Sequence, residues 1–172
     1  MIRRAHIGDV DRIMGIVRSA QLSLRQLGID QWQDGYPSRE VIEGDIEAEV
    51  GWVITDDKEY IIGYAAIVLS GEAAYSQIAA NEWHTPNDYV VVHRICVDST
   101  LHRRGTATTL MRHAATIARN ANIRGFRIDT HRGNTRMLAL VERLGFGYCG
   151  IITYDSGERL AFDLDLELSN TL

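Results

Sequence analysis

His93 is a titratable ring inside the otherwise apolar, β-branched run Val90-Val91-Val92-His93-Arg94-Ile95-Cys96-Val97. Imidazole titrates near neutrality, so a histidine there suits proton transfer at a reacting centre. The same residue suits a buried structural hydrogen bond, because a polar group in an apolar strand must find a partner. Its neighbour Arg94 is expected on the other face of the strand and in a structural ion pair. Beyond Asp98-Ser99-Thr100 comes His102-Arg103-Arg104-Gly105-Thr106-Ala107-Thr108, and from Leu110 onward apolar residues recur at helical spacing. A helix start leaves its first amides unpaired and partially positive, so a small-residue turn with two arginines there suits a phosphate or pyrophosphate. A solvated turn with surface arginines gives the same local pattern. No Gly-x-x-x-x-Gly-Lys-Ser/Thr is present, and no Gly-x-Gly-x-x-Gly follows an early strand, which excludes a P-loop and a dinucleotide fingerprint.

The elements that must position these residues follow from periodicity and punctuation. Residues 2–6 form a short strand. Val10, Ile13, Met14, Ile16, Val17, Ala20 and Leu24 share one face of a helix that starts at Gly8-Asp9 and stops before Gly28. A second helix begins near Ser38 and carries Val41, Ile42 and Ile46. Residues 51–55 and 60–69 are strands joined by an Asp56-Asp57-Lys58 turn. A polar connection over 70–88 holds a short helix and Glu82-Trp83-His84. The strand around His93 and a helix over 105–120 come next, then a strand over 125–131. A helix over 134–144 is closed by Gly145, and strands over 148–154 and 160–166 flank Asp155-Ser156-Gly157.

The chain has 172 residues, 45% hydrophobic and 24% charged, with a formal net charge of −5. That fits one domain over 1–168 with a short tail over 169–172. The negative balance argues against general nucleic-acid binding. No run approaches a membrane span, and Met1-Ile2-Arg3-Arg4 lacks the apolar stretch of a signal peptide, so a cytoplasmic protein is expected. Cys96 and Cys149 show no metal-ligand spacing and lie in apolar stretches, so buried thiols and no metal are expected. His6, His113 and His131 are read as surface or packing residues.

The order β-α-α-β-β-β-α-β-α-β-β, the basic turn at 102–107, and Asn134 followed by a helix ending in Leu144-Gly145-Phe146 together resemble the GNAT superfamily of acyl-CoA-dependent N-acetyltransferases. The similarity covers nearly the whole chain. It implies an α/β (α+β) fold with a mixed central sheet of about seven strands, in which the fourth and fifth strands splay apart. It implies acetyl-CoA as co-substrate: main-chain groups of Ile95, Cys96 and Val97 would hold the pantetheine arm. Arg103, Arg104, Gly105, Thr106, Ala107 and Thr108 would hold the pyrophosphate, and Asn134 and Val141 would contact the arm from the opposite side.

His102 stands where the family has Gln or Arg, but most of those contacts use backbone, and Gly105 and Ala107 stay small. By the resemblance, His93 lies where many members place a glutamate base, and the Ile95 amide would polarise the thioester carbonyl. Val141 occupies the position of the usual tyrosine acid, and a thiol of pKa about 8.5 is a tolerable leaving group without it. Trp32 and Tyr36 between the first helices, Trp83 before the fourth strand, and His93 are the candidate acceptor-binding residues. Aromatic and acidic groups suit a cationic amine, although Trp32 and Tyr36 equally serve as lids over the core. The reaction expected is transfer of acetyl to a primary amine of a small molecule, peptide or protein, by direct attack in a ternary complex. A non-catalytic acyl-CoA-binding module and a protein-interaction domain are the competing readings. A homodimer is compatible with the sequence, and no nucleic-acid or membrane partner is expected.

Overall fold

The computed structural model describes residues 1–69, 71–78, 82–101 and 105–172. Among them are seven strands and four α-helices: β1 (Ile2–Arg4), α1 (Val10–Gln26), α2 (Arg39–Glu47), β2 (Gly51–Thr55), β3 (Ile61–Val68), β4 (Tyr89–Val97), α3 (Thr106–Asn120), β5 (Gly125–Thr130), α4 (Thr135–Arg143), β6 (Gly147–Tyr154) and β7 (Gly157–Asp165). The strands form one mixed sheet in the order β1-β2-β3-β4-β5-β7-β6. β4 and β5 run parallel, while the β1–β2, β2–β3, β5–β7 and β6–β7 pairs are antiparallel. No helix of the described residues is long and apolar enough to cross a membrane.

The chain divides into two compact units, Met1–Ile67 with Val92–His113, and Val68–Val91 with Ala114–Leu172. In the first, Val10, Ile13, Ile16 and Val17 of α1 pack with Ile42 of α2 and with Val53, Ile61, Tyr64 and Cys96 of the strands. Each of the valines and isoleucines, once buried, contributes about 1.5–3 kcal/mol. The end of α1 is set by Gly28 at φ 72°, where Gly28 N donates to Arg25 O and Ile29 N to Leu24 O. That double closure satisfies the last carbonyls and buries Ile29. Ser38 caps α2 by accepting from Val41 N. The β2–β3 turn rests on Asp56, whose Oδ1 accepts from Lys58 N and Tyr60 N; pairing therefore leaves Tyr60 outside the strand.

The second unit is built on the β5–β7–β6 ladder and on Tyr75, Tyr89, Val91, Ile152 and Ala161. β7 starts at Gly157, three residues earlier than its apolar pattern suggests, because Tyr154 pairs directly with Gly157 across a two-residue turn. Parallel pairing of β4 with β5 covers three residue pairs and ends at Val91 with Arg127, whereas β5 goes on pairing with β7 through Thr130. That short ladder matches the splay implied by the resemblance.

Candidate active site

In the first unit the site is organised by a kink in β4. Arg94 has φ 54°, a left-handed conformation rare for a side chain of its size, and strict alternation of faces does not carry through the strand. The kink is anchored by charge. Arg94 Nε and Nη2 donate to Asp45 Oδ2 and Oδ1 of α2 at 2.8 and 2.6 Å, and Arg94 Nη1 donates to the Tyr36 hydroxyl at 2.8 Å. Tyr64 of β3 donates its hydroxyl to Asp45 Oδ2 at 2.7 Å. One buried carboxylate thus ties α2, β3, β4 and the 28–37 loop together. The structural ion pair expected of Arg94 is present, with Asp45 as a partner that sequence spacing could not name.

His93, beside this anchor, is half-buried. Burial, with the Arg94 charge adding to it, pushes its pKa down to about 4. The expectation that it titrates near neutrality is therefore corrected: at pH 7 it is a neutral imidazole of low basicity. Cys96, two residues beyond Arg94, is buried, which pushes its thiol up to about 12. β4 is followed by Asp98, whose N donates to Ile62 O and whose carboxylate takes Thr100 N, Thr100 Oγ1 and Arg12. Burial alone would raise the Asp98 carboxyl, but those donors outweigh it and hold it low.

α3 opens after Gly105, which is exposed at φ 90°, and its first turn, Thr106, Ala107 and Thr108, carries no acidic residue. Gly63 of β3 permits the close approach behind it. A Cβ there would lie 3.2 Å from both Cys96 O and Thr106 Cγ2, and 2.9 Å from Ile54 Cγ2. The predicted contacts of Arg103 and Arg104, and the departure at His102, lie outside the described residues. Trp32 packs against the α1 core and meets Tyr36 edge-on at 6.4 Å between centroids. Gln21 Nε2 holds Tyr36 O, and Gln33 Nε2 holds Gln21 O. Trp32 thus lies against the core, while Tyr36 joins the Arg94 anchor.

In the second unit Asn134 caps α4, its Oδ1 accepting from Met137 N at 3.2 Å. The far end of α4 closes as the Leu-Gly-Phe pattern suggests, with Gly145 at φ 82°, Gly145 N donating to Glu142 O, and Phe146 N donating to Val141 O. Val141 is 1% exposed and belongs to the inner face of α4. Trp83 donates its indole N–H to Tyr75 O, tilts against the Tyr75 ring, and carries the Arg127 guanidinium 4.4 Å from its centroid. Asp129, which sequence reasoning passed over, accepts from the hydroxyls of Tyr75 at 2.8 Å and Tyr154 at 3.0 Å. Burial raises its carboxyl against the pull of those two donors. An acidic residue inside Gly-Phe-Arg-Ile-Asp-Thr was the available signal.

Comparison with known proteins agrees with this architecture. The model of the acetyltransferase (GNAT) family matches residues 21–146. A GNAT-family acetyltransferase structure from Streptococcus agalactiae is 33% identical, covers 96% of this chain and 94% of its own, and superposes with a TM-score of 0.86. The PaiA N-acetyltransferase of Thermoplasma acidophilum, solved in complex with coenzyme A, shares the fold at 16% identity and a TM-score of 0.70, with 96% and 98% coverage. A probable cytosol aminopeptidase of Psychromonas ingrahamii is 28% identical over 133 residues, 72% of this chain and 26% of that protein. The chain spans about a quarter of the length of that curated relative. With a family match running from inside α1 to the end of the α4 closure, on a sheet whose fourth and fifth strands part after three pairs, the chain belongs to the acetyltransferase (GNAT) family.

Proposed function

We propose that this chain transfers an acetyl group from acetyl-CoA to a primary amine of a small molecule, peptide or protein, by direct attack in a ternary complex. The family match carries the reading, and the local chemistry fits it. An exposed glycine at positive φ leads into a helix start with small residues and no acidic group, which suits a pyrophosphate. Main-chain groups of Ile95, Cys96 and Val97 would hold the pantetheine arm, Gly105 to Thr108 with Arg103 and Arg104 the phosphates, and Asn134 and Val141 the other side of the arm. Tyr36 and Trp32, together with Trp83, would contribute to acceptor binding.

In the reaction the amine nitrogen bonds to the thioester carbon, the C–S bond breaks, and the nitrogen loses a proton. The Ile95 amide would receive the developing charge on the carbonyl oxygen. Neutral His93, whose conjugate acid has a pKa of about 4, cannot take a proton from an alkylammonium of pKa about 10, an uphill transfer of roughly 8 kcal/mol. His93 can accept the proton once attack has made the nitrogen far more acidic, so the amine must enter neutral. Val141 supplies no proton to sulfur, and coenzyme A would leave as the thiolate.

Isothermal calorimetry with acetyl-CoA, followed by thiol release against amines, amino acids and short peptides, tests the reading. Peptides belong in the panel because one relative is described as an aminopeptidase. Binding with amine-dependent thiol release is expected. Binding without release with any acceptor would favour an acyl-CoA-sensing module, and absence of binding would overturn both.

A further inference from the structure

Outside the proposed acetyl-transfer residues, the second unit brings together three side chains of different chemistry that are remote in sequence. His84 precedes β4, Cys149 lies in β6, and Asp163 lies in β7. His84 Nδ1 is 3.4 Å from Cys149 Sγ and 3.0 Å from Asp163 Oδ1, and one ligand atom from each of the three residues lies within 4.8 Å of the others. A β-bulge makes the meeting possible. Tyr148 pairs with Phe162 and Gly150 with Ala161, which leaves Cys149 as the extra residue between them. Such bulges re-aim a side chain. Opposite Asp163 the partner is Gly147, so no side chain from that strand position stands before the imidazole.

We propose that His84 Nδ1, Cys149 Sγ and Asp163 Oδ1 form a binding site for a divalent ion of the zinc class, with a fourth position open to water. Nitrogen, sulfur and oxygen donors at bond lengths of about 2.0–2.3 Å around a tetrahedral ion stand roughly 3.3–3.6 Å apart. The two separations from His84 Nδ1 are 3.4 and 3.0 Å, the second opening by about 0.3 Å to admit an ion. Asp163 is held in place from behind, since His84 N and Thr85 N donate to its Oδ2 at 2.7 and 2.8 Å, leaving Oδ1 directed at the imidazole. Those backbone donors are the outer support that a metal-ligating carboxylate needs. Asp163 is buried at 3% side-chain exposure while His84 is 58% exposed, so an ion has an entry path and a wet fourth position.

Such an ion takes the thiolate, so binding releases one proton: the S–H bond breaks, the sulfur lone pair goes to the metal, and the proton goes to buffer. The consequence is mechanical, a clamp of the segment before β4 onto the β6–β7 hairpin.

The test uses the full chain, stripped with chelator, dialysed and titrated with cobalt(II). One equivalent is expected to bind, with a near-ultraviolet sulfur-to-cobalt charge-transfer band and visible bands of four-coordinate intensity, displaced by zinc. Cys149→Ser should abolish the charge-transfer band. His84→Ala alters a 58% exposed side chain and keeps the two backbone donors to Asp163 Oδ2, so the variant should fold in chelator, as far-ultraviolet circular dichroism checks. It should nevertheless weaken cobalt binding by more than the roughly 10- to 100-fold that loss of an outer partner costs a metal site. Zinc should also slow alkylation of Cys149 in the parent. Cobalt binding without a thiolate band, equal affinity in parent and His84→Ala, or no binding at all would overturn the proposal.

Discussion

Replacing Asp45 by Asn tests whether one buried carboxylate holds β4 in its kinked form. Asp45 is 7% exposed and accepts three hydrogen bonds, two from the Arg94 guanidinium at 2.8 and 2.6 Å and one from Tyr64 at 2.7 Å. Asparagine offers one oxygen and turns an NH2 group toward a donor, which leaves the cation uncompensated. Removing one partner of a buried pair costs about 3–5 kcal/mol. The lower end applies here because Arg94 keeps its bond to Tyr36 and retains 14% side-chain exposure. Urea unfolding should show a loss of about 3 kcal/mol, which at an m-value of about 2 kcal/mol/M lowers the midpoint by about 1.5 M. Combining Asp45→Asn with Arg94→Met removes both charges, so the double variant should be more stable than the sum of the singles by about 2 kcal/mol. In the proposed reaction, KM for acetyl-CoA should rise more than kcat falls, because the anchor positions the main chain proposed to hold the arm. A loss below about 1 kcal/mol, or simple additivity in the double variant, would show that Asp45 does not hold the kink through its charge.

Two further outcomes follow from neighbouring residues. His93 has a pKa of about 4 in the folded chain against 6.5 for the free side chain. The unfolded chain therefore binds more protons between those values, and stability falls as pH drops from about 6.5 to about 4, by up to about 3 kcal/mol. Unfolding measured across that range should be flatter for His93→Gln, and a parent curve as flat as the variant's would remove the burial argument. Asn134→Ala removes the α4 cap and should lower stability by about 1 kcal/mol, with no change in the m-value. A larger rise in KM for acetyl-CoA than this stability loss accounts for would support its contact with the arm, and an unchanged KM would remove it.

Local chemistry was legible wherever its cause was local. The apolar spacing of α1 and the Gly28 closure place the first helix. Ser38 and Asn134 mark helix starts to within a residue. The Leu144-Gly145-Phe146 closure stands as its residue types require. Strand ends were less legible, because β7 begins where pairing with β6 begins and its first residues are polar. A basic glycine turn before an amphipathic helix, followed by an asparagine-capped helix, was enough to identify the family.

What the sequence determined, then, is the order of elements, the helix caps, and the small-residue start of α3, each dictated by contacts within a few residues. Only the tertiary structure decided that Arg94 adopts a left-handed conformation against Asp45, and that His93 is neutral through burial rather than titrating near pH 7. It alone decided that His84 meets Cys149 across 65 residues and Asp163 across 79. The physical reason is common to all of these. A pKa depends on what displaces water around a group, and a strand bulge depends on its partner's register. Neither is written in the residues beside it.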